Sequence, residues 1–391
     1  MGQEPSVRRS RAGVGLVVIL ALCALLLTGC SGAEPTPTPQ VEILPTRTSR
    51  PTFTPVPLPT ATPIPPTPTL APTLTPIPPT PTASPTVVSA DISPLTGLRV
   101  DDPAKLKRRV LAVRIGNDPQ IRPQEGLGLA DIVYEEVMDG WTITRFTALY
   151  LDSDAERIRP IRSARLSSLA IAPQYDAALV HSGASDKIRW LISQAKFVDL
   201  DQFFHEAPYG MLEGYDWRGR AYTSTAKLHE YLKRKGWERE TPIAGYVFDV
   251  AAPLGQPATS IHIPYPKSSV VDWAYDSTSG RYLRSVQGQP HLEALTQQQI
   301  AAENVIILYT EHKKTDIVED SLGSTAIDIV LEGSGKAQVC RNGVVIEARW
   351  ERKATGDLIR YYDDAQGREI PLKPGRTWIQ LVPTDYAVTI G

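Results

Sequence analysis

Cysteine is scarce in this chain of 391 residues, which contains only Cys23, Cys30 and Cys340. Cys23 lies inside a short apolar run near the N-terminus, and Cys30 comes just after that run. Cys340 is therefore alone in the globular part, where no disulfide can form, and about 300 residues must be held together by a hydrophobic core. We expect Cys340 to be buried in a strand as a small hydrophobic residue.

Motifs for metal ions, nucleophiles and phosphate loops are also lacking. The six histidines are scattered without H-E-x-x-H spacing, and neither G-x-S-x-G nor G-x-x-x-x-G-K-[ST] occurs. We therefore predict no metal site and no cofactor, and we favour a protein that is not an enzyme. A formal net charge of −2 argues against a general binder of nucleic acid or of anionic membranes, since such proteins are usually clearly basic.

The chain has no apolar run of the about 20 residues that a bilayer-spanning helix needs. Residues 14–27 form a shorter apolar run behind Arg8, Arg9 and Arg11, which is the pattern of a signal peptide at 1–29. The run ends in L-T-G-C at 27–30, which resembles a bacterial lipobox. We predict a lipid on Cys30 that anchors the protein to the extracytoplasmic face of the cell membrane. An ordinary signal peptide that happens to end in cysteine is the alternative.

Proline and threonine dominate the segment that follows. Residues 35–85 hold 18 of the 35 prolines of the chain, often alternating with threonine. Such a segment has almost nothing to bury, so we predict that 30–90 is disordered and populates extended polyproline II, with a reach of at most roughly 150 Å. It is interpreted as a stalk or as a spacer of no particular length. The threonines would also suit O-glycosylation.

Residues 91–391 mix helical and β-prone segments, and the second half is richer in strands. Runs at 110–115, 131–137 and 143–151 predict strands, with helices capped by Ser163 and by Thr223 or Ser224, the second ending at Gly236. Residues 276–280, G-S-G at 333–335 and N-G at 342–343 predict hairpin turns, and Thr296 a short helix. We predict an α+β protein, with a mixed α/β domain at 91–255 and a smaller, mainly antiparallel β domain at 256–391.

Several ordered strings make residues 93–383 similar to a known family. They are S-P-L-T-G-L at 93–98, R-P-Q-E-G-L at 122–127, A-D-I-V-Y-E at 130–135, R-P-I-R-S-A-R at 159–165, H-S-G-A-S at 181–185 and P-G-R-T-W-I at 374–379. This combination resembles the YerB-like family of bacterial lipoproteins, a two-part domain of unknown function. The resemblance implies an envelope lipoprotein and no established reaction. Residues 203–225 depart from the family's usual stretch, which contains arginine, histidine and asparagine.

Four arginines form the densest polar group: Arg157, Arg159, Arg162 and Arg165. The last two flank the predicted helix start, where free backbone N–H groups and guanidinium forks together bind carboxylate or phosphate. This pattern predicts an anion site. Alternatively, the arginines pair with nearby acidic residues on the surface or brace the two domains.

A second candidate lies at the predicted junction of a strand and a helix, in H-S-G-A-S-D at 181–186. Loops at the carboxyl ends of strands often carry ligand sites, so His181 and Ser182 are candidate ligand contacts. His181 could also act as a general acid or base. Capping of the helix by Ser185 or Asp186, or simple packing, explains the same residues.

A third group combines Asp131, Glu135 and Arg145. The two acids have the spacing of one face of a strand, and paired carboxylates are the catalytic groups of glycosidases. Any strand with alternating acids has this spacing, and Arg145 on the neighbouring strand is the natural ion-pair partner.

Two functions follow from these groups. We expect a monomeric, membrane-anchored binding or scaffolding module that takes an anionic or cell-wall ligand and no nucleic acid. Its ligand contacts would be Arg162, Arg165, His181, Ser182, Arg145 and Asp131. The alternative is a cell-wall or phosphoester hydrolase that uses Asp131 and Glu135 or His181. Tyr209, Tyr215, Trp217 and Tyr222 would stack on a sugar or pack their own loop.

Overall fold

The described part of the chain is residues 91–391 of a computed structural model. The predicted signal peptide at 1–29 and the predicted lipidated Cys30 with its stalk at 30–90 lie outside the described residues. Within 91–391, none of the helices has the length and apolar character needed to cross a bilayer.

Three α-helices and twenty-one strands make up this part of the chain. The helices are α1 (Leu166–Ile171), α2 (Asp186–Gln194) and α3 (Thr225–Lys235). The strands of the first half are β1 (Leu111–Gly116), β2 (Ile132–Val137), β3 (Thr144–Tyr150), β4 (Ala178–His181), β5 (Asp199–Asp201), β6 (Gly210–Met211) and β7 (Ala221–Tyr222). Those of the second half are β8 (Gln256–Pro257), β9 (Ser260–Ile263), β10 (Val271–Asp276), β11 (Arg281–Val286), β12 (Gln289–Pro290), β13 (Ala301–Ala302), β14 (Asn304–Thr310), β15 (His312–Val318), β16 (Thr325–Ile329), β17 (Gly333–Arg341), β18 (Val344–Arg352), β19 (Arg360–Asp363), β20 (Thr377–Pro383) and β21 (Thr389–Ile390). Short 3₁₀ turns lie at Pro103–Lys107, Pro119–Ile121, Leu127–Leu129, Asp139–Trp141, Ala172–Tyr175 and Lys267–Ser269.

A central sheet of eleven strands contains strands from both halves of the sequence. Its order is β19-β18-β17-β14-β20-β2-β3-β1-β4-β5, with β8 beside β18. The halves meet where β2 and β20 pair in parallel, with Ile132 opposite Thr377 and Glu135 opposite Gln380. Both faces of this region are covered, so β2 and β3 are buried along their whole length.

A second sheet of six strands, in the order β12-β11-β10-β9-β21 with β13 beside β11, belongs to the second half. Its strands pair antiparallel throughout, and β15 and β16 form a separate hairpin. The first half has few helices and a mixed sheet, while the second half is largely antiparallel. The predicted α+β class is therefore confirmed.

Turn chemistry explains which hairpin predictions hold. Residues 276–280 join β10 to β11, and Asn342-Gly343, at φ 54° and 75°, joins β17 to β18 as predicted. The G-S-G at 333–335 is not a turn, because β17 begins at Gly333. Gly335 is required for another reason: a Cβ there would lie 2.6 Å from Nε1 of Trp350.

Two predicted helix starts are wrong. The first helix begins at Leu166 rather than after Ser163, because the Ser163 hydroxyl donates to the Ser182 carbonyl at 3.2 Å instead of capping. No helix follows Thr296, whose hydroxyl accepts from Gln298 N within a turn. The start after Ser224 is confirmed, since its hydroxyl accepts from Lys227 N at 3.2 Å. Cys340 is fully buried, and burial raises the pKa of its thiol.

Candidate functional site

An arginine-lined cleft of about 520 Å³ opens where the parallel strands β4 and β5 end. Residues 182–185, directly after β4, and 202–203, directly after β5, form one side of it. The segment 161–165 and parts of 211–221 form the other side. The carboxyl edge of parallel strands is a frequent ligand site, and the volume suits a small ligand. We call this space the arginine cleft.

Four arginines line the arginine cleft, namely Arg162, Arg165, Arg189 and Arg220. Among the described residues, Glu319 is the single carboxylate that lines it, and it arrives from the turn after β15. The lining is therefore positively charged overall, although the net charge of the chain is −2.

Arg165 and Arg189 are already held by acidic residues. The Arg165 Nε lies 2.6 Å from Oδ1 of Asp139 and 3.5 Å from Oε2 of Glu319. Burial acts against the charge of Arg165, but the hydrogen bonds and negative charge of Asp139 raise its pKa. The Arg189 Nε lies 3.1 Å from Oδ2 of Asp201. These two side chains form the fixed walls of the cleft.

Arg162 and Arg220 have no carboxylate as close to their guanidinium groups as Arg165 and Arg189 have. The nearest carboxylate oxygen to Arg162 is that of Asp118, at 3.9 Å from Nε, and this Nε has no hydrogen-bond partner within 91–391. Burial and the positive charges of Arg165 and Arg218 lower the pKa of Arg162, although the carboxylates of Asp118 and Asp216 act in the other direction. The Arg220 side chain is exposed and makes no ion pair with any described residue. An anionic ligand would therefore meet these two guanidinium groups.

Arg145 lies behind the cleft and does not line it. Its side chain is buried, and Nη1 donates to the Ser163 carbonyl at 3.1 Å. Burial and the charges of Arg165, Arg162 and Arg114 lower its pKa well below the usual range. The hydrogen bond to the Ser163 carbonyl ties the Arg145 side chain to the 162–165 segment.

His181 and Ser182, adjacent in sequence, have different positions. Ser182 lines the cleft and donates to Oε1 of Gln202 at 2.6 Å. His181 is fully buried; Nδ1 lies 3.0 Å from the Gly183 carbonyl and Nε2 lies 2.7 Å from Oδ1 of Asp199. Both ring nitrogens contact acceptor oxygens of the protein, so His181 supports the loop and does not line the cleft.

Asp131 and Glu135 lie away from the cleft. Asp131 is buried and accepts from Leu151 N at 2.6 Å. Glu135 is also buried, and Nη2 of Arg284 lies 2.9 Å from each of its carboxylate oxygens. The predicted partner Arg145 stands opposite Glu136 in the β2–β3 register, and adjacent residues of a strand point to opposite faces.

Two adjoining family profiles cover most of the described region. The profile described as "Protein of unknown function (DUF3048) N-terminal domain" matches residues 95–238, and its "C-terminal domain" counterpart matches residues 261–379. The chain belongs to the DUF3048 family. Because the family is described as of unknown function, membership defines no reaction.

Comparisons with individual relatives agree with this membership. The DUF3048 chain is 29% identical over 315 residues to a Bacillus subtilis (strain 168) protein named "Putative lipoprotein YerB", covering 76% of this chain and 88% of that protein. It also matches the crystal structure of the YerB protein from Bacillus subtilis with a TM-score of 0.67 and 29% identity, covering 77% of this chain and 99% of that one. The predicted resemblance to the YerB-like family is confirmed.

The structure brings Arg162, Arg165 and Ser182 of this DUF3048 protein into one cleft, and it adds three residues that the sequence did not indicate. Arg220 lies in the segment that departs from the family pattern, and Arg189 lies in the first turn of α2. Glu319 comes from the other half of the chain, so no local pattern connects it with Arg165. Within residues 91–391, no group of three or more histidine, cysteine or acidic side chains is placed to hold a metal ion.

Proposed function

We propose that this DUF3048 protein is a lipoprotein of the cell envelope that binds an anionic ligand in the arginine cleft. The relationship to a protein named as a lipoprotein supports membrane association. The anchor at Cys30, the extracytoplasmic location and the stalk at 30–90 are part of the proposal. One observation carries the binding site: Arg162 and Arg220 face a cleft of about 520 Å³ without a carboxylate within 3.5 Å.

Carboxylates and phosphates match such guanidinium groups in charge and in hydrogen-bond geometry. Muropeptides, teichoic fragments and sugar phosphates carry these groups and occur in cell envelopes, so they are the ligands to test first. No geometry supports the hydrolase alternative to the same degree, because Asp131 and Glu135 do not line the cleft and both ring nitrogens of His181 are engaged.

Removal of either free guanidinium should weaken ligand binding. For the full chain in detergent, we expect Arg162→Ala and Arg220→Ala each to reduce affinity about tenfold, because each removes a charge-assisted hydrogen bond. Thermal shift identifies the ligand, and isothermal titration measures the dissociation constants. Arg368→Ala is the matched control, since Arg368 is exposed and outside the cleft. If no ligand stabilises the protein, or if both variants bind like the control, the arginine cleft is not a binding site.

Removal of the Glu319 charge should have the opposite effect and strengthen ligand binding. Its side chain is buried beside Arg165, and burial raises the pKa of its carboxyl group. We expect Glu319→Gln to strengthen anion binding several-fold, because the substitution keeps the size and removes the single carboxylate of the lining. Titration of the same ligand into wild type and variant checks this. Unchanged or weaker binding would show that the ligand does not sense Glu319.

A further inference from the structure

Exposed apolar side chains are concentrated beside the arginine cleft. Five of the thirteen large hydrophobic residues exposed within 91–391 fall in the fifteen residues 203–217. They are Phe203, Phe204, Met211, Tyr215 and Trp217, with exposed fractions of 63, 70, 46, 52 and 65%. We call them the aromatic rim. Exposed apolar side chains concentrated in this way often mark an interaction site.

The loop that carries the aromatic rim is fastened to the protein from its inner side. The Thr223 hydroxyl donates to the Pro208 carbonyl at 2.7 Å, and the Tyr209 hydroxyl donates to the Leu200 carbonyl. A Cβ on Gly219 would lie 2.9 Å from Cγ2 of Ile121, so the loop packs closely there. The rim is therefore held outward by a fixed backbone and is not exposed by loss of loop structure.

Cations stand directly against the rim. The Arg189 guanidinium carbon lies 4.9 Å from the ring centroid of Phe203 and 5.5 Å from that of Phe204, and Arg162 lies 4.9 Å from that of Trp217. Phe203, Met211 and Trp217 also line the arginine cleft, so rim and cleft form one continuous surface. Aromatic side chains beside arginines are the chemistry of a protein surface that lies in a bilayer interface.

We propose that the aromatic rim docks on an anionic bilayer and that the arginine cleft takes the phosphate of a lipid head group. This inference rests on the proposed function and specifies its ligand. Sixty residues separate the predicted anchor Cys30 from Asp91, where the described domain begins. A tether of that length keeps the domain within reach of the membrane, and the high effective concentration lets a weak surface bind.

The surface around the aromatic rim is not basic, so binding to an anionic bilayer needs both the rim and the arginines of the cleft. Asp216 is paired with Arg218 at 2.7 Å, while Glu206 and Glu213 on the same loop keep the surrounding surface from being basic. Charges farther away than about 10 Å are largely screened by salt, so the local arginines count for more than the net charge. Phe203 and Phe204 have no hydrogen-bonding groups for a sugar, which favours a bilayer over a glycan as the occupant.

Amide hydrogen exchange in residues 203–217 tests the proposal on the full chain anchored in vesicles through its lipid. We expect exchange to be several-fold slower in vesicles of phosphatidylglycerol and phosphatidylcholine than in phosphatidylcholine alone. Arg162→Ala with Arg220→Ala should abolish the difference, and so should Phe204→Ser with Tyr215→Ser. The matched control is Leu254→Ser with Leu322→Ser, which removes side chains that are 99 and 90% exposed elsewhere and should keep the difference.

Titration of glycerol phosphate into the detergent-solubilised chain separates the two proposals. If glycerol phosphate binds through Arg162 and Arg220 but exchange is equal in both kinds of vesicle, membrane docking is overturned and the proposed function stands. Protection that appears without vesicles as the protein concentration rises would assign the rim to a second copy of the chain and also overturn docking. Absence of vesicle protection, together with absence of binding by glycerol phosphate, muropeptides, teichoic fragments and sugar phosphates, would overturn both proposals.

Discussion

Replacing Arg284 with alanine is expected to lower the free energy of unfolding by about 3–5 kcal/mol, because it leaves the Glu135 carboxylate buried without its counter-charge. Both side chains have no exposed area, and Nη2 of Arg284 lies 2.9 Å from each carboxylate oxygen. Glu135 also accepts from Nε1 of Trp378 at 3.2 Å and from the Thr144 hydroxyl at 2.7 Å. Since Glu135 is on β2 and Arg284 on β11, the pair joins the two halves of the sequence.

Urea unfolding followed by circular dichroism measures this loss. Arg368→Ala, an exposed arginine without an ion pair to any described residue, should change the free energy by less than about 0.5 kcal/mol. A double variant, Glu135→Gln with Arg284→Met, should be more stable than the sum of the single effects predicts, because it removes both charges together. If Arg284→Ala unfolds like the control, this ion pair does not stabilise the contact between the halves.

The second large effect concerns Asp131 and pH. Burial, and then the charge of Asp152, raise the pKa of Asp131 from 3.8 to about 7. In the window between these values the folded protein holds a proton that the unfolded chain has released. The free energy of unfolding therefore falls as pH rises from about 4 to 7, by a few kcal/mol from this group, and stays at the lower value above that range.

Asp131→Asn should remove this pH dependence. Asparagine keeps an oxygen that can accept from Leu151 N, as Oδ2 of Asp131 does at 2.6 Å, and it has no charge to bury. Denaturant unfolding at several pH values between 4 and 8 compares variant and wild type. The free energy of unfolding of the variant should increase relative to that of the wild type as pH rises. Parallel pH curves would contradict the assignment to Asp131.

The sequence predicted correctly those turns and helix ends that depend on hydrogen bonds and backbone angles of neighbouring residues. The turn at Asn342-Gly343 follows from two residues that accept positive φ, and the start of α3 follows from the Ser224 hydroxyl. The approach of Arg162 and Arg165 to Ser182 is different, since the hydrogen bond from the Ser163 hydroxyl to the Ser182 carbonyl joins segments 19 residues apart and replaces the predicted cap.

The faces of β2 could not be assigned from sequence. Asp131 lies just before β2 and Glu135 lies within it, and the sheet is covered on both sides, so neither face of β2 meets solvent. Which acid meets which base then depends on strand pairing. Glu136 stands opposite Arg145, while Glu135 reaches Arg284 on a strand from the other half of the chain.

The amino-acid sequence alone was sufficient for the family, the α+β class, the absence of a disulfide in the globular part and the arginine-rich segment at 157–165. Only the tertiary structure decided which arginines have no carboxylate close enough to compensate their charge. Asp139 and Asp201 neutralise Arg165 and Arg189, whereas Arg162 and Arg220 have no carboxylate as close. The physical reason is that charge compensation acts over a few ångströms in space, and contacts between residues far apart in sequence set those distances.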